Sequence, residues 1–270
     1  MRVPAVSGSF YPAEEGVLRN QLRRCFASGP GEPRESSGKR SISAVIAPHA
    51  GYAFSGSCAA HSFKAIAEDG LPDAYIVIGP DHHGVPYDAV TSSEDFFTPM
   101  GPVPVHQQIV SRLREFIPDD PRAHVREHSI EVELPFLQYI DRNPKIVPVI
   151  MGRQDMQTAE RLAKALKFAC QGYDVVVVAS SDLVHYMPKA VADELDSHFL
   201  NAVASGNVAS VYEEVRRNNL TVCGYGPIAT AMLMSEPCRV KLLNQTDSFE
   251  AMRYDRNAVV GYGSAVIYRS

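Results

Sequence analysis

Apolar residues fall into two alternating patterns along the chain. Short uninterrupted runs rich in β-branched residues, Ser43–Ala47, Ala74–Gly79, Lys145–Ile150 and Asp174–Ala179, read as strands. Such runs suit strands covered on both faces, as in a mostly parallel sheet. Between them, residues 56–68 place Ala59, Ala60, Phe63, Ile66 and Ala67 at helical spacing, and residues 157–169 repeat that period. An N-terminal helix is expected from Glu14 to Phe26. Another is expected over Ile228–Met234, where Pro227 suits the first helical position. Arg239–Leu243 and Val259–Tyr268 read as later strands. Residues 27–41, ASGPGEPRESSGKRS, are rich in Gly, Pro, Ser and charge and predict a flexible surface connection. No repeat and no second linker divides the rest. The alternation predicts one α/β domain over residues 1–270, with a mostly parallel or mixed central sheet and helices on both faces.

Composition narrows the function classes. The 270-residue chain is 45% apolar and 21% charged, which is enough apolar content to bury a sizeable core. A formal net charge of −5 offers no general attraction for nucleic acid or an anionic membrane. No stretch approaches roughly 18 uninterrupted apolar residues, so no membrane-spanning helix is expected. The opening residues MRVPAVSGSFYP lack a charged segment followed by an apolar one, so no secretory signal is expected and the cytoplasm is the default. Cys25, Cys58, Cys170, Cys223 and Cys238 are odd in number and contain no CxxC pair. That pattern argues against a disulfide framework and fits a reducing compartment.

Chemistry-bearing side chains collect just after the predicted strands. The first strand leads into Pro48-His49-Ala50-Gly51-Tyr52, the second into Pro80-Asp81-His82-His83-Gly84, and the run ending at Ala179 into Ser180-Ser181-Asp182-Leu183-Val184-His185. In an open α/β sheet, ligands bind outside the carboxyl ends of the strands, and parallel neighbours put these loops at one edge. His49, Asp81, His82, His83, Asp182 and His185 are therefore expected to converge. Of the adjacent pair His82 and His83, one ring is expected to point away, and the spacing does not say which. Cys223 precedes the helix at Ile228. The positive end of that helix would favour its thiolate, and a buried, inert thiol is the alternative. His128 and Glu131 share a face if the segment from Glu127 is helical. They would then orient a ligand or move a proton, or else simply open a solvated helix. Phe10 and Tyr11 either line a pocket or anchor the N-terminal segment on the core.

At these residues the sequence resembles the Memo family, which includes the AmmeMemoRadiSam system protein B sequences. The matching blocks are Ala47-Pro-His-Ala-Gly-Tyr52 with Ser55-Gly-Ser-Cys-Ala-Ala-His61, Gly79-Pro-Asp-His-His83, Glu127-His-Ser-Ile-Glu131, Ser180-Ser-Asp182 with His185, and Cys223-Gly with Pro227-Ile. They run in order over almost the whole chain. The resemblance implies a fold similar to class III extradiol dioxygenases and one iron or copper ion, zinc being less favoured. His49, His82 and Cys223 would be its ligands, with Asp182 and His185 as catalytic residues and Asp81, His83, His128 and Glu131 in supporting positions. It also implies a dioxygenase-like oxidoreductase acting on a small-molecule substrate, with association with radical SAM and AMMECR-type proteins. Two other readings remain open here. One is a non-catalytic module that binds phosphotyrosine peptides in the old crevice, and the other is a zinc-type hydrolase. A thiolate in place of a carboxylate is softer and tilts preference toward copper or zinc, whereas Asp182 or Glu131 swinging in would restore an iron site.

Overall fold

The β-branched runs form the centre of a sheet in the computed structural model, which describes residues 1–269. In chain order the elements begin with α1 (Glu15–Ser28), β1 (Ile42–Ala47), α2 (Tyr52–Asp69), β2 (Ala74–Pro80), β3 (Ala89–Thr91), β4 (Phe96–Thr98), β5 (Gly101–Val103) and α3 (Gln107–Leu113). They continue with α4 (Leu134–Ile140), β6 (Ile146–Met151), α5 (Met156–Ala169), β7 (Val175–Ser180), β8 (His185–Met187) and α6 (Lys189–Ala204). The chain closes with α7 (Val208–Asn218), α8 (Tyr225–Met234), β9 (Arg239–Asp247), α9 (Ser248–Met252) and β10 (Val259–Tyr268).

The main sheet has the order β3-β6-β2-β7-β1-β10-β8, with β9 also paired to β10. β6, β2, β7 and β1 are mutually parallel, and the outer strands β3, β10, β9 and β8 pair antiparallel. Every residue of β2 and β6 is buried, as an uninterrupted apolar run requires of a strand covered on both faces. α2 lies against β1, β9 and β10 with α1 and α4 beside it, while α8 lies against β7, β1 and β2 with α5 beside it. Local signals place these helices: the Asp155 carboxylate accepts the Thr158 N–H at 2.8 Å to start α5, and Gly70, with φ 126°, ends α2.

Two expectations need correction. The last but one strand runs on to Asp247, because it pairs with β10 along its whole length from Tyr268↔Arg239 to Gly261↔Asp247. It is only half-buried, so its polar residues mask its extent. The segment from Glu127 is not helical at first. A 3-10 turn occupies Glu131–Glu133 and α4 begins at Leu134, because Glu127, Glu131 and Glu133 all turn inward and are buried. Residues 31–41 contain neither helix nor strand, and Arg40 fixes their far end through Asp174 at 2.7 Å. Among the described residues, no helix is long and apolar enough to cross a membrane.

Candidate metal centre

Parallel register assembles the site. Ala47 at the end of β1 lies opposite Ser180 at the end of β7, and Ile78 of β2 lies opposite Ala179. His49, His82 and Asp182 each stand just beyond the carboxyl end of their strand, at the same sheet edge. The Asp182 carboxylate ties two of these loops together by accepting the N–H groups of His49 at 2.9 Å and Ala50 at 3.2 Å. Cys223 arrives from the turn before α8, and Gly224 lets it come close. A Cβ there would stand 2.4 Å from the Ser180 carbonyl oxygen and 2.6 Å from Ser181 Cβ. Gln154 clasps the same turn, donating to the Cys223 carbonyl at 2.7 Å and accepting from the Gly226 N–H at 2.8 Å.

Ligand atoms of His49, His82 and Cys223 lie within 4.8 Å of one another, with Cys223 Sγ 3.5 Å from His49 Nε2. Donors sharing one ion at bonds of about 2.0–2.3 Å sit roughly 3–4 Å apart, so only a small adjustment would bring these three onto one centre. In both rings Nδ1 is already engaged. That of His49 is 2.7 Å from Ser180 Oγ, and that of His82 is 2.9 Å from Glu127 Oε1. Each ring is thereby turned with Nε2 away from its hydrogen-bonded neighbour, in His49 toward the Cys223 thiol, as in metal-binding histidines whose other nitrogen is held by a nearby residue.

Charges around the site are strongly biased by burial. Burial pushes the Glu127 carboxyl up, but the hydrogen bond and charge of His82 and the N–H groups of Ser129 and His82 outweigh it and hold the group well below the usual carboxylate range. For His82, burial works toward the neutral ring, and Glu127 overrides it and raises the pKa. Burial, then the neighbouring His82 and His128 rings, holds His49 well below the ordinary histidine value. Burial lowers His128 to about 4 and raises Asp182 to about 7, and it also lowers His185. Cys223 reverses the expectation drawn from its place before a helix. Burial and then the charge of Asp182 raise its pKa, against the hydrogen bonds from the Asp182 N–H and the Ser181 hydroxyl. A cation, not the helix, is what would displace its proton.

The remaining predicted residues divide. His185 lies beside the centre, donating Nδ1–H to the Thr221 carbonyl at 3.0 Å and leaving Nε2 as an acceptor. His128 stacks on His82 with ring centroids 4.6 Å apart and meets His49 edge-on at 5.5 Å. His82, Glu127 and His128 form a second group whose ligand atoms are mutually close. His83 belongs to neither group. Asp81 caps its own turn by accepting from the N–H groups of His83, Gly84 and Val85. Glu131 does not serve the centre. Its buried carboxylate is taken by Arg2, by the N–H groups of Ala5 and Val6 at 2.7 and 3.0 Å, and by the Tyr11 hydroxyl at 2.5 Å. It anchors the N-terminal segment and cannot swing in as a ligand. Tyr11 serves that anchor, while Phe10 meets the His128 ring edge-on at 4.9 Å. Sequence reasoning gave no role to Glu127 and Ser180, which hydrogen-bond the His82 and His49 rings, to Glu133, which meets Ser180, or to Gln154, which holds the main chain of the Cys223 turn.

A sequence model described as Memo-like protein matches residues 2–266. The chain belongs to the Memo-like family. Its relatives include a MEMO1 family protein of Thermococcus kodakarensis, 40% identical over 100% of both chains. A MEMO1 family protein of Methanosarcina mazei is 38% identical over 99% of both, and one of Methanopyrus kandleri is 36% identical over 99% of both. The crystal structure of an uncharacterized Escherichia coli K12 protein matches with a TM-score of 0.53 at 13% identity, covering 85% of this chain and 100% of that one. This last likeness is one of fold. In the Memo-like chain described here, two imidazoles and a thiol from three separate loops meet at the carboxyl edge of the sheet.

Proposed function

We propose that this Memo-like protein is a metal-dependent redox enzyme, holding one iron or copper ion between His49 Nε2, His82 Nε2 and Cys223 Sγ and acting on a small organic substrate. The observation that carries the reading is the meeting of Cys223 Sγ with His49 Nε2 at 3.5 Å while Ser180 and Glu127 occupy the far nitrogens of the two rings. Three protein donors leave coordination positions open for reactants. When bound, the ion would supply Lewis acidity and a site for one-electron chemistry. The protein's own part is orientation and proton handling. Glu127 keeps the His82 ring fixed and basic, and Asp182 holds the loop that carries His49. His185 presents Nε2 as the acceptor that takes a proton from a reacting group or returns it.

Metal analysis by mass spectrometry of protein purified without added metal tests this directly. Wild-type protein and a Cys238→Ser control should carry stoichiometric iron or copper. His49→Ala and Cys223→Ser should each lose it by about tenfold or more. Unchanged metal in both variants would refute the site, and zinc as the sole metal would replace the redox reading with a hydrolytic one.

A further inference from the structure

We propose that Glu133 is a neutral carboxylic acid that, through the hydroxyl of Ser180, holds His49 in the tautomer needed for metal binding. This rests on the proposed metal centre for its purpose, but not for its geometry. Ser180 Oγ has three close neighbours: the Ser129 carbonyl oxygen at 2.7 Å, Glu133 Oε1 at 2.8 Å and His49 Nδ1 at 2.7 Å. A hydroxyl has one proton to give and two lone pairs with which to accept. The Ser129 carbonyl can only accept, so the Ser180 proton goes there. Both remaining neighbours must then donate to Oγ. Glu133 does so only if Oε1 carries a proton, and His49 does so only as Nδ1–H. That tautomer leaves the Nε2 lone pair directed at Cys223 Sγ, 3.5 Å away.

The surroundings of Glu133 agree with the inventory. The residue is fully buried, and Oε2 has no hydrogen-bond partner among the described residues. Among the described residues an ionised carboxylate in that position would meet one shared hydroxyl at Oε1 and no donor at Oε2, whereas a neutral acid leaves only a carbonyl oxygen unpaired. Burial raises the group well above the ordinary carboxyl range, with the nearby charge of Asp182 acting the same way and Ser180 opposing. Glu133 touches neither ligand atoms nor a reacting group, so it is a positioning residue.

The protonation state can be read on metal-free protein, independently of whether the metal reading stands. The infrared difference spectrum of wild-type minus Glu133→Gln at neutral pH should show loss of a protonated carboxylic acid carbonyl band. Loss of an ionised carboxylate band instead overturns the proposal. Long-range nitrogen–proton NMR of the wild-type His49 ring needs no variant and should report Nδ1–H, so finding Nε2–H overturns it as well. Cobalt(II) titration, followed by its thiolate charge-transfer absorption, then tests the positioning. Glu133→Gln, which can still donate to Ser180, should bind within about twofold of wild type, and Glu133→Leu roughly tenfold more weakly. Equal binding by Glu133→Leu and wild type would remove the positioning role. Equal weakening by Gln and Leu would show that a charge, not a donated hydrogen bond, is what matters.

Discussion

Glu127 receives the His82 ring nitrogen and the main-chain N–H groups of His82, His128 and Ser129, whereas Glu133 meets a single hydroxyl and leaves one oxygen with no partner. Both side chains are buried and both stand behind a histidine of the same candidate centre. Their difference lies in the number of donors around them. A buried carboxylate stays ionised when several N–H groups converge on it, and otherwise keeps its proton. The ionised one can touch its imidazole directly and raise its basicity. The neutral one acts at one remove, through a serine that sorts the protons. Two histidines of one site are thus oriented by one charged and one uncharged acid.

Removing a donor-saturated carboxylate should do the greatest damage. Glu131 is the extreme case, with the buried guanidinium of Arg2 as well as two N–H groups and a phenol. Glu131→Ala leaves Arg2 buried and unpaired and should destabilise the fold by about 3–5 kcal/mol in denaturant unfolding. Cobalt affinity of the remaining folded protein should change less than stability does, because Glu131 touches no ligand residue. Glu127→Ala should cost about 3 kcal/mol, since it orphans a ring nitrogen and three main-chain donors. It should also weaken cobalt binding by about 10–100-fold, since His82 loses its orienting partner. If the two variants fall equally in metal affinity, the division between an anchoring glutamate and an orienting one is wrong.

The sequence carried much of the fold and less of the site. β1, β2, β6 and β7 begin and end within one residue of the runs that predicted them, because strands buried on both faces are written as unbroken apolar stretches. Strands β3, β4, β5 and β8 have three residues each and leave no period to detect. Helices α6 and α7 are rich in acids and bases on their outer faces, and few of their residues are buried. The convergence of His49, His82 and Asp182 followed from topology alone, since parallel neighbours must end at one edge. Cys223 was placed by resemblance. What could not be read was the division of labour in Glu127-His-Ser-Ile-Glu131-Val-Glu133. Three acids at alternate or nearby positions look interchangeable in a string. One orients His82, one clamps the N-terminal segment, and one stands protonated behind Ser180, and only the donors that the fold brings to each decide which.

Asp196 offers an intermediate case away from the metal ligands and sharpens the same comparison. It is buried against β10, where a Cβ on Gly261 would sit 1.7 Å from its Oδ2, and its one hydrogen bond comes from the Val184 N–H at 2.9 Å. One donor is too few, and burial, with Asp193 and Asp247 adding to it, lifts its pKa to about 7. In the unfolded chain an aspartate titrates near 4, so between about pH 4 and 7 the folded protein retains a proton that the unfolded one has released. This contribution to stability is therefore full below about pH 4, declines as pH rises toward 7, and is flat above. Asp196→Asn keeps the acceptor for Val184 and removes the titration. Relative to wild type, the variant should gain stability steadily over that window, reaching on the order of 4 kcal/mol at pH 8. Denaturant unfolding of both proteins at several pH values isolates the effect, because every other group titrates in both. Parallel curves would mean that a single N–H is enough to keep a buried carboxylate charged in this fold, and the contrast between Glu127 and Glu133 would then need a cause other than their donors.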